Sequence, residues 1–566
     1  MPPEGPRPPS PRRLGLIAGL IAAALTLATL RGPGLTIDEP LDVRPGRDYV
    51  ALLARAGLGF LDPANVDRLF RDNAEHPPLG RWLLGIASKA FEPFEAWLFG
   101  PDPTGLYVLS GRVAPALAFA ALVALVAAES SRRWGAIAGI AAAWSLVAMP
   151  RLFAHAHLAA LDTFIAFFWT LALLAAARAV DSRRPLPAML AAGLLWGLAL
   201  LTKIHAWFLP PLVLAWALTR LKPARAVAVV SAWFVAGVAT FLIGWPWLWH
   251  DTVARWSAYL GTGVNRASIL VLYFDRVWKD VDLPWHYPWL YFAATVPLLL
   301  QACGVAGLAR GWRGRREDPF PALLAGSILL FLALFSTRVP VYDGERLFLP
   351  AFPAWAMLIG LGFSRAWARW GGRRAGRFAL AALMLAQGYG TVSMHPFGLS
   401  YYNALTGGLA GADRLGLEAT YWGDAVDRVL LDELARRVSP GEIVALAPTL
   451  YPGQGIATTT APLVRRESVI RDEDAAGSAD WVLVSRRRAY LPAALLSRIE
   501  SGEGELVAAR SRQGVNLAEL WKFPRDAARP GGGGEMGAGP SFPTTGRFVE
   551  YVLNESNGIT GSAWGN

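Results

Sequence analysis

Five sets of polar residues interrupt an otherwise apolar chain, and each has residue types that could do chemistry. Asp38 and Glu39 stand together in LTIDEPLDV, eight residues after the first apolar run. A carboxylate there can take a proton from an acceptor hydroxyl; two adjacent acids can equally do no more than solvate a loop. His76-Pro77-Pro78-Leu79 precedes the apolar stretch GRWLLGIASKAF. The prolines pre-set the start of a helix, which is either part of a site or a helix lying on the membrane surface. His155 and His157 lead into Asp162-Thr163. Two histidines two residues apart diverge and do not make a metal pair alone. Asp162 is either functional or an N-terminal cap.

Lys203, with Thr202 and His205, sits between two apolar half-helices. A lysine there is costly unless it is paired or close enough to the interface to snorkel. Asp343, Glu345 and Arg346 form DGERLFLP just before another apolar run, where Arg346 pairs with its neighbours or faces an anion.

The elements that must carry these residues are membrane spans. Of 566 residues, 54% are hydrophobic and 17% are charged, against a usual charged share of ~25%. That balance excludes a disordered chain. The single cysteine excludes a disulfide scaffold and a thiolate zinc protein. Runs long enough for a bilayer, or nearly so, lie at 14–30, 106–128, 134–150, 162–180, 226–244, 287–309, 320–336, 350–363 and 377–394. The stretch 186–219 reads as two shorter helices meeting at Lys203 and His205. The expectation is an all-α polytopic membrane protein of about 11 transmembrane helices, with a small C-terminal α/β domain outside the bilayer.

Charge sets the orientation. With the N-terminus cytoplasmic, the inside segments hold 20 basic residues against five acidic ones, among them Arg132, Arg133, Arg313, Arg315, Arg373 and Arg374. That is the positive-inside pattern, and it gives the net charge of +11 a use other than nucleic-acid binding. The first run could be a cleaved signal peptide, but it shows no clear A-x-A site, and the later loops alternate correctly only if it is retained. By the same parity, His76, His155, His157, His205, His250, His286 and His395, the acid pair, Lys203 and Arg346 all fall on or near the outer face. Residues 1–394 are read as the membrane domain, with 31–105 a long first outer loop carrying membrane-surface helices. Residues 395–525 are read as the outer α/β domain, from the strand-like Glu442–Ala447 and Asp480–Ser485 and the helical Asp427–Val438. Residues 526–566, with GGGG and few charges, read as a disordered tail. No internal repeat is visible.

In this order and with this topology, the motifs resemble the polyprenyl- and dolichyl-phosphate-sugar-dependent glycosyltransferases of GT-C fold. The resemblance is to bacterial protein O-mannosyltransferases and the related aminoarabinose transferases, over about residues 10–425. It rests on DE, HPPL, HAHLAALDT, LLTK, DGERLFLPAFP, HPFGLSYYNALTGG and EATYWGD. The resemblance implies a lipid-phosphate sugar donor, transfer with inversion on the outer face of the inner (plasma) membrane, and a protein, lipid or glycan acceptor. It implies Asp38 as the catalytic base. Glu39, Asp162, His76 and His157 would orient donor or acceptor, and Lys203 and Arg346 would lie near the lipid phosphate. His76 departs from the aminoarabinose transferases, which carry lysine there; a histidine meets phosphate only when protonated or as an N–H donor. No cofactor is assigned, a divalent cation is left open, and no nucleic-acid partner is expected. Trp245, Trp247, Trp249, Trp285, Trp289, Tyr401, Tyr402, Tyr421 and Trp422 either stack on sugar or form an interfacial belt. The rival readings are a flippase or transporter of lipid-linked saccharides, expected to show mid-membrane charge and repeat symmetry, and a membrane-anchored sugar-binding protein.

Overall fold

In the computed structural model, the structure describes residues 10–70, 76–102, 104–262, 268–450, 454, 469–471 and 479–524. The tail at 526–566 lies outside the described residues. The chain is a multi-pass membrane protein. Among the described residues, four helices are each long and apolar enough to cross a bilayer: Pro11–Thr29, Val108–Trp134 (its main body Val113–Trp134), Asp162–Val180 and Pro223–Gly244. They turn large apolar side chains outward, such as Leu16, Leu20, Val235 and Ile243. A bilayer accepts such a surface where water would not.

Not all the expected spans are uninterrupted helices. The run expected at 287–309 is two helices, Tyr287–Ala294 and Leu298–Arg313, bent by 113°. Pro297, at the start of the second, cannot continue the first. The run at 134–150 is the 13-residue helix Ala136–Ala148, stopped before Pro150. The run at 377–394 divides into Arg374–Ala386 and Tyr389–Met394. The break inside 186–219 falls where the sequence puts it: Pro185–Leu200 ends, Lys203 is extended, and a 3-10 turn, Ile204–Phe208, leads into Leu209–Leu218.

Small residues let the spans approach. A Cβ on Gly15 would lie 2.6 Å from the Ala124 carbonyl oxygen, and one on Gly19 2.9 Å from that of Ala120. The first helix therefore packs backbone-to-backbone on Val113–Trp134, as small-residue stripes allow in membranes. At one end of that helix, buried Glu129 gathers Arg132, Arg133 and Arg178. All three arginines come from segments that the charge pattern assigns to the cytoplasm.

The C-terminal part holds a five-stranded sheet of order β4-β3-β5-β7-β6. Its strands are β3 Ile443–Ala447, β4 Val469–Arg471, β5 Trp481–Ser485, β6 Glu505–Arg512 and β7 Val515–Lys522. β3 is parallel to β4 and β5, whereas β7 is antiparallel to β5 and β6. Side-chain alternation gives this sheet two cores. Val444, Leu446, Trp481 and Leu483 join the apolar core shared with the helices. Ala445, Ala447, Val482 and Val484 pack with Leu495 and Phe523 in a second cluster. The helix Arg428–Arg437 starts at Asp427, whose side chain caps the Leu430 N–H at 3.2 Å. A hairpin, β1 Leu270–Tyr273 with β2 Arg276–Lys279, turns at Phe274 and Asp275, both of positive φ. The sequence reading had missed that hairpin and the β6–β7 pair.

Candidate active site

Asp38 is the first residue of the helix Asp38–Ala56, where the helix dipole favours a carboxylate. Asp162 opens the span Asp162–Val180, Lys203 lies in the break between half-helices, and Arg346 begins a 3-10 turn before Ala351–Trp370. These separate elements bring their charged groups into one cluster. Lys203 Nζ donates to Asp162 Oδ1 at 2.6 Å. Arg346 donates through Nε to Asp162 Oδ2 at 3.2 Å, through Nη1 to Asp343 Oδ2 at 3.1 Å, and through Nη2 to Asp38. Its guanidinium lies 4.1 Å from the ring centre of Trp422. Burial opposes the charge on Arg346, but Asp162 and Asp38 more than offset it and hold its pKa well above the ordinary value.

Exposure separates the carboxylates. The Asp38 side chain is 26% exposed, whereas those of Asp162 and Asp343 are at 1% and 5%. Asp38 is thus the acid of this cluster that an incoming hydroxyl can reach. Asp162 is paired on both oxygens, with Lys203 and with Arg346.

Glu39 follows Asp38 in the chain but lies in a different environment. It is fully buried, and its carboxylate accepts four hydrogen bonds. Two come from Arg112, at 2.6 and 2.7 Å, and two from the backbone N–H groups of Thr36 and Ala159, at 2.9 and 2.8 Å. So enclosed, Glu39 ties Arg112 to the backbone at Thr36 and Ala159. His157 is also enclosed. Its Nδ1 meets the Phe153 carbonyl at 2.8 Å and its Nε2 the Thr29 hydroxyl at 2.8 Å, so it fastens the end of the first helix. Burial pushes its pKa down to about 3, and the ring is neutral.

His76 lies in the field of Arg81, Lys203 and Arg346; burial first, then these cations, push its pKa well below 6.5. It is neutral at pH 7 and can meet an anion only as an N–H donor.

The site also holds groups that the sequence reading did not assign. Arg81 Nε pairs with Asp42 Oδ1 at 3.1 Å, one helical turn beyond Asp38, and burial pushes the Asp42 carboxyl up to about 6. Arg151 Nη1 pairs with Glu345 at 2.8 Å. Arg487 comes from the chain after β5 and reaches Asp343 Oδ1 at 3.0 Å. The signal for Arg112 and Arg151 was their presence beside apolar runs, where an unpaired arginine is costly. The aromatic residues divide: Trp245, Trp247, Tyr402, Tyr421 and Trp422 are buried, whereas Trp249, Trp285 and Trp289 are exposed. Among the described residues, no three His, Cys, Asp or Glu side chains are grouped to hold a metal ion.

Residues 75–250 match the family profile described as dolichyl-phosphate-mannose-protein mannosyltransferase, a segment that includes His76, Asp162 and Lys203. The ArnT structure of Cupriavidus metallidurans in the apo state is 16% identical, covers 89% of this chain and 97% of its own, and gives a TM-score of 0.48. The same protein bound to undecaprenyl phosphate is 15% identical, with the same coverage and score. The Archaeoglobus fulgidus oligosaccharyltransferase is 12% identical, with 82% of this chain and 65% of that one covered and a TM-score of 0.40. No curated protein sequence matches the chain.

Proposed function

We propose that the protein is an integral-membrane inverting glycosyltransferase. It moves a sugar, a mannose-like hexose or a relative of one, from a polyprenyl-phosphate donor to an acceptor hydroxyl on the extracytoplasmic side. The observation that supports this most is one solvent-reaching carboxylate, Asp38, held beside two buried cations, Arg346 and Lys203, at the ends of spans. The matched family profile supports the donor class.

The arrangement suits displacement at an anomeric carbon. The acceptor oxygen loses its proton to Asp38 and bonds to the anomeric carbon. The bond from that carbon to the phosphate oxygen breaks, and its electron pair leaves with the phosphate. The donor is a phosphodiester carrying one negative charge, and the departing polyprenyl phosphate gains a second. Arg346 and Lys203 therefore act more strongly on the transition state than on the bound donor, which is what raises a rate. A base opposite the leaving group inverts the centre, as in inverting glycosidases. Neutral His76 adds an N–H donor, and no nucleotide is needed.

A flippase is less well supported. Its coupling charges belong at mid-membrane between repeated halves, whereas Asp162 is the first residue of its span and Arg346 precedes one. The test is Asp38→Asn in proteoliposomes with radiolabelled polyprenyl-phosphate hexose. Loss of the base should slow transfer by roughly 10²-fold or more. Undiminished transfer removes Asp38 from the role.

A further inference from the structure

We propose that Arg487, carried by the C-terminal sheet, is a positioning residue for Arg346 and acts through Asp343. This rests on the reading of Arg346 as a cation for the lipid phosphate. Arg487 lies two residues beyond β5, and its side chain is buried. Its Nη2 donates to Asp343 Oδ1 at 3.0 Å and its Nη1 to the Tyr421 carbonyl at 2.8 Å, while its guanidinium lies 4.8 Å from the ring centre of Tyr490. The other oxygen of Asp343 accepts from Arg346 Nη1 at 3.1 Å. One carboxylate is thus shared between an arginine of the sheet and an arginine of the membrane site. The shared residue is held in a positive-φ conformation (55°), and the next N–H, of Gly344, is fixed by the Tyr287 hydroxyl at 2.9 Å.

Charge explains what the sharing does. The ring contains three carboxylates, Asp38, Asp162 and Asp343, and three cations, Lys203, Arg346 and Arg487. Without Arg487, three buried or half-buried carboxylates compete for two cations. Asp343 then has Arg346 as its remaining cationic partner and draws it away from Asp38 and from any phosphate. Removing the charge of Asp343 as well restores the balance, two against two. The effect of Arg487 is therefore conditional on Asp343, which a purely architectural role for Arg487 would not be. It gives the C-terminal sheet a function: it sets the position of a cation in the membrane site.

The experiment uses the full-length protein in lipid nanodiscs and follows binding of undecaprenyl phosphate, with transfer kinetics alongside. Arg487→Ala should weaken that binding by about tenfold and lower kcat at least tenfold, both measured per folded molecule, because losing the buried pair with Asp343 also lowers the thermal midpoint. Arg487→Lys should recover part of both. The double variant Arg487→Ala/Asp343→Asn should bind at least threefold more tightly than Arg487→Ala alone. Wild-type affinity in Arg487→Ala overturns the proposal. So does a double variant no better than the single one, because Arg487 would then support the fold only. Arg346→Ala separates the two levels. If it leaves undecaprenyl phosphate binding intact, the phosphate reading of Arg346 itself fails. If it abolishes binding while Arg487→Ala does not weaken it, only the coupling fails.

Discussion

Glu39→Gln is the substitution that best separates the two adjacent acids. The two Glu39 oxygens are equivalent in one respect: each accepts one bond from Arg112 and one from a backbone N–H. A glutamine can keep only one of those oxygens. Whichever way its amide is turned, the NH2 group faces two donors, so one guanidinium bond and one backbone bond are lost together. An orphaned buried N–H costs ~1–3 kcal/mol, and breaking a buried ion pair costs ~3–5 kcal/mol. Arg112 retains the carbonyls of Leu30, Pro33 and Gly34, at 3.3, 2.9 and 2.6 Å. Its charge is therefore not stranded, and the combined loss should be near the lower end, about 3 kcal/mol. In detergent, the thermal-shift midpoint of Glu39→Gln should fall by several degrees, and its transfer should track the folded fraction. Asp38→Asn should show the opposite: an almost unchanged midpoint with transfer nearly lost. If Glu39→Gln keeps the wild-type midpoint and abolishes transfer, Glu39 touches substrate and the structural assignment is wrong.

Two further outcomes follow from the charges nearby. Burial pushes the carboxyls of Glu418 and Asp424 up to about 7, and each has one buried oxygen with no hydrogen-bond partner among the described residues. Between about pH 4 and 7 the folded chain keeps protons that the unfolded chain has released, so stability should fall as pH rises through that window, by ~1.4 kcal/mol per unit and group at most, and level off above it. Asp424→Asn should flatten this slope and raise the thermal midpoint at pH 8; an unchanged slope refutes the assignment. Lys203→Gln should raise the donor KM and lower kcat, each by about tenfold, because Asp162 would keep Arg346 to itself; an unchanged donor KM would place the phosphate elsewhere.

The polar residues that mattered were visible in the sequence because a membrane makes them conspicuous. Lys203 between apolar half-helices and Arg346 before a span needed partners, and Asp162 supplies one to both. The strands at 443–447 and 481–485 were legible as short apolar runs that differ in length from the spans. What the sequence could not divide was Asp38 from Glu39. Neighbouring acids look alike in a string; here the difference is made by Arg112, 73 residues from Glu39, which takes one of them into the interior. The Thr29 partner of His157 lies 128 residues away and is equally invisible in the string.

The same reasoning explains why the bent pair and Arg487 escaped. Hydropathy sums over a window and does not register one proline, so 287–309 scored as a span although Pro297 turns the chain by 113°. Arg487 lies 144 residues from Asp343, in a segment whose apolar strands suggest only a soluble domain. Its place is invisible without the position of Asp343, and in the sequence Asp343 already has a partner in the neighbouring Arg346. The carboxylate has two oxygens, however, and a buried one costs free energy unless each is met. Counting acceptors as well as charges at DGER would have called for a second donor from elsewhere in the chain. The five-stranded sheet is what brings that donor to the membrane site.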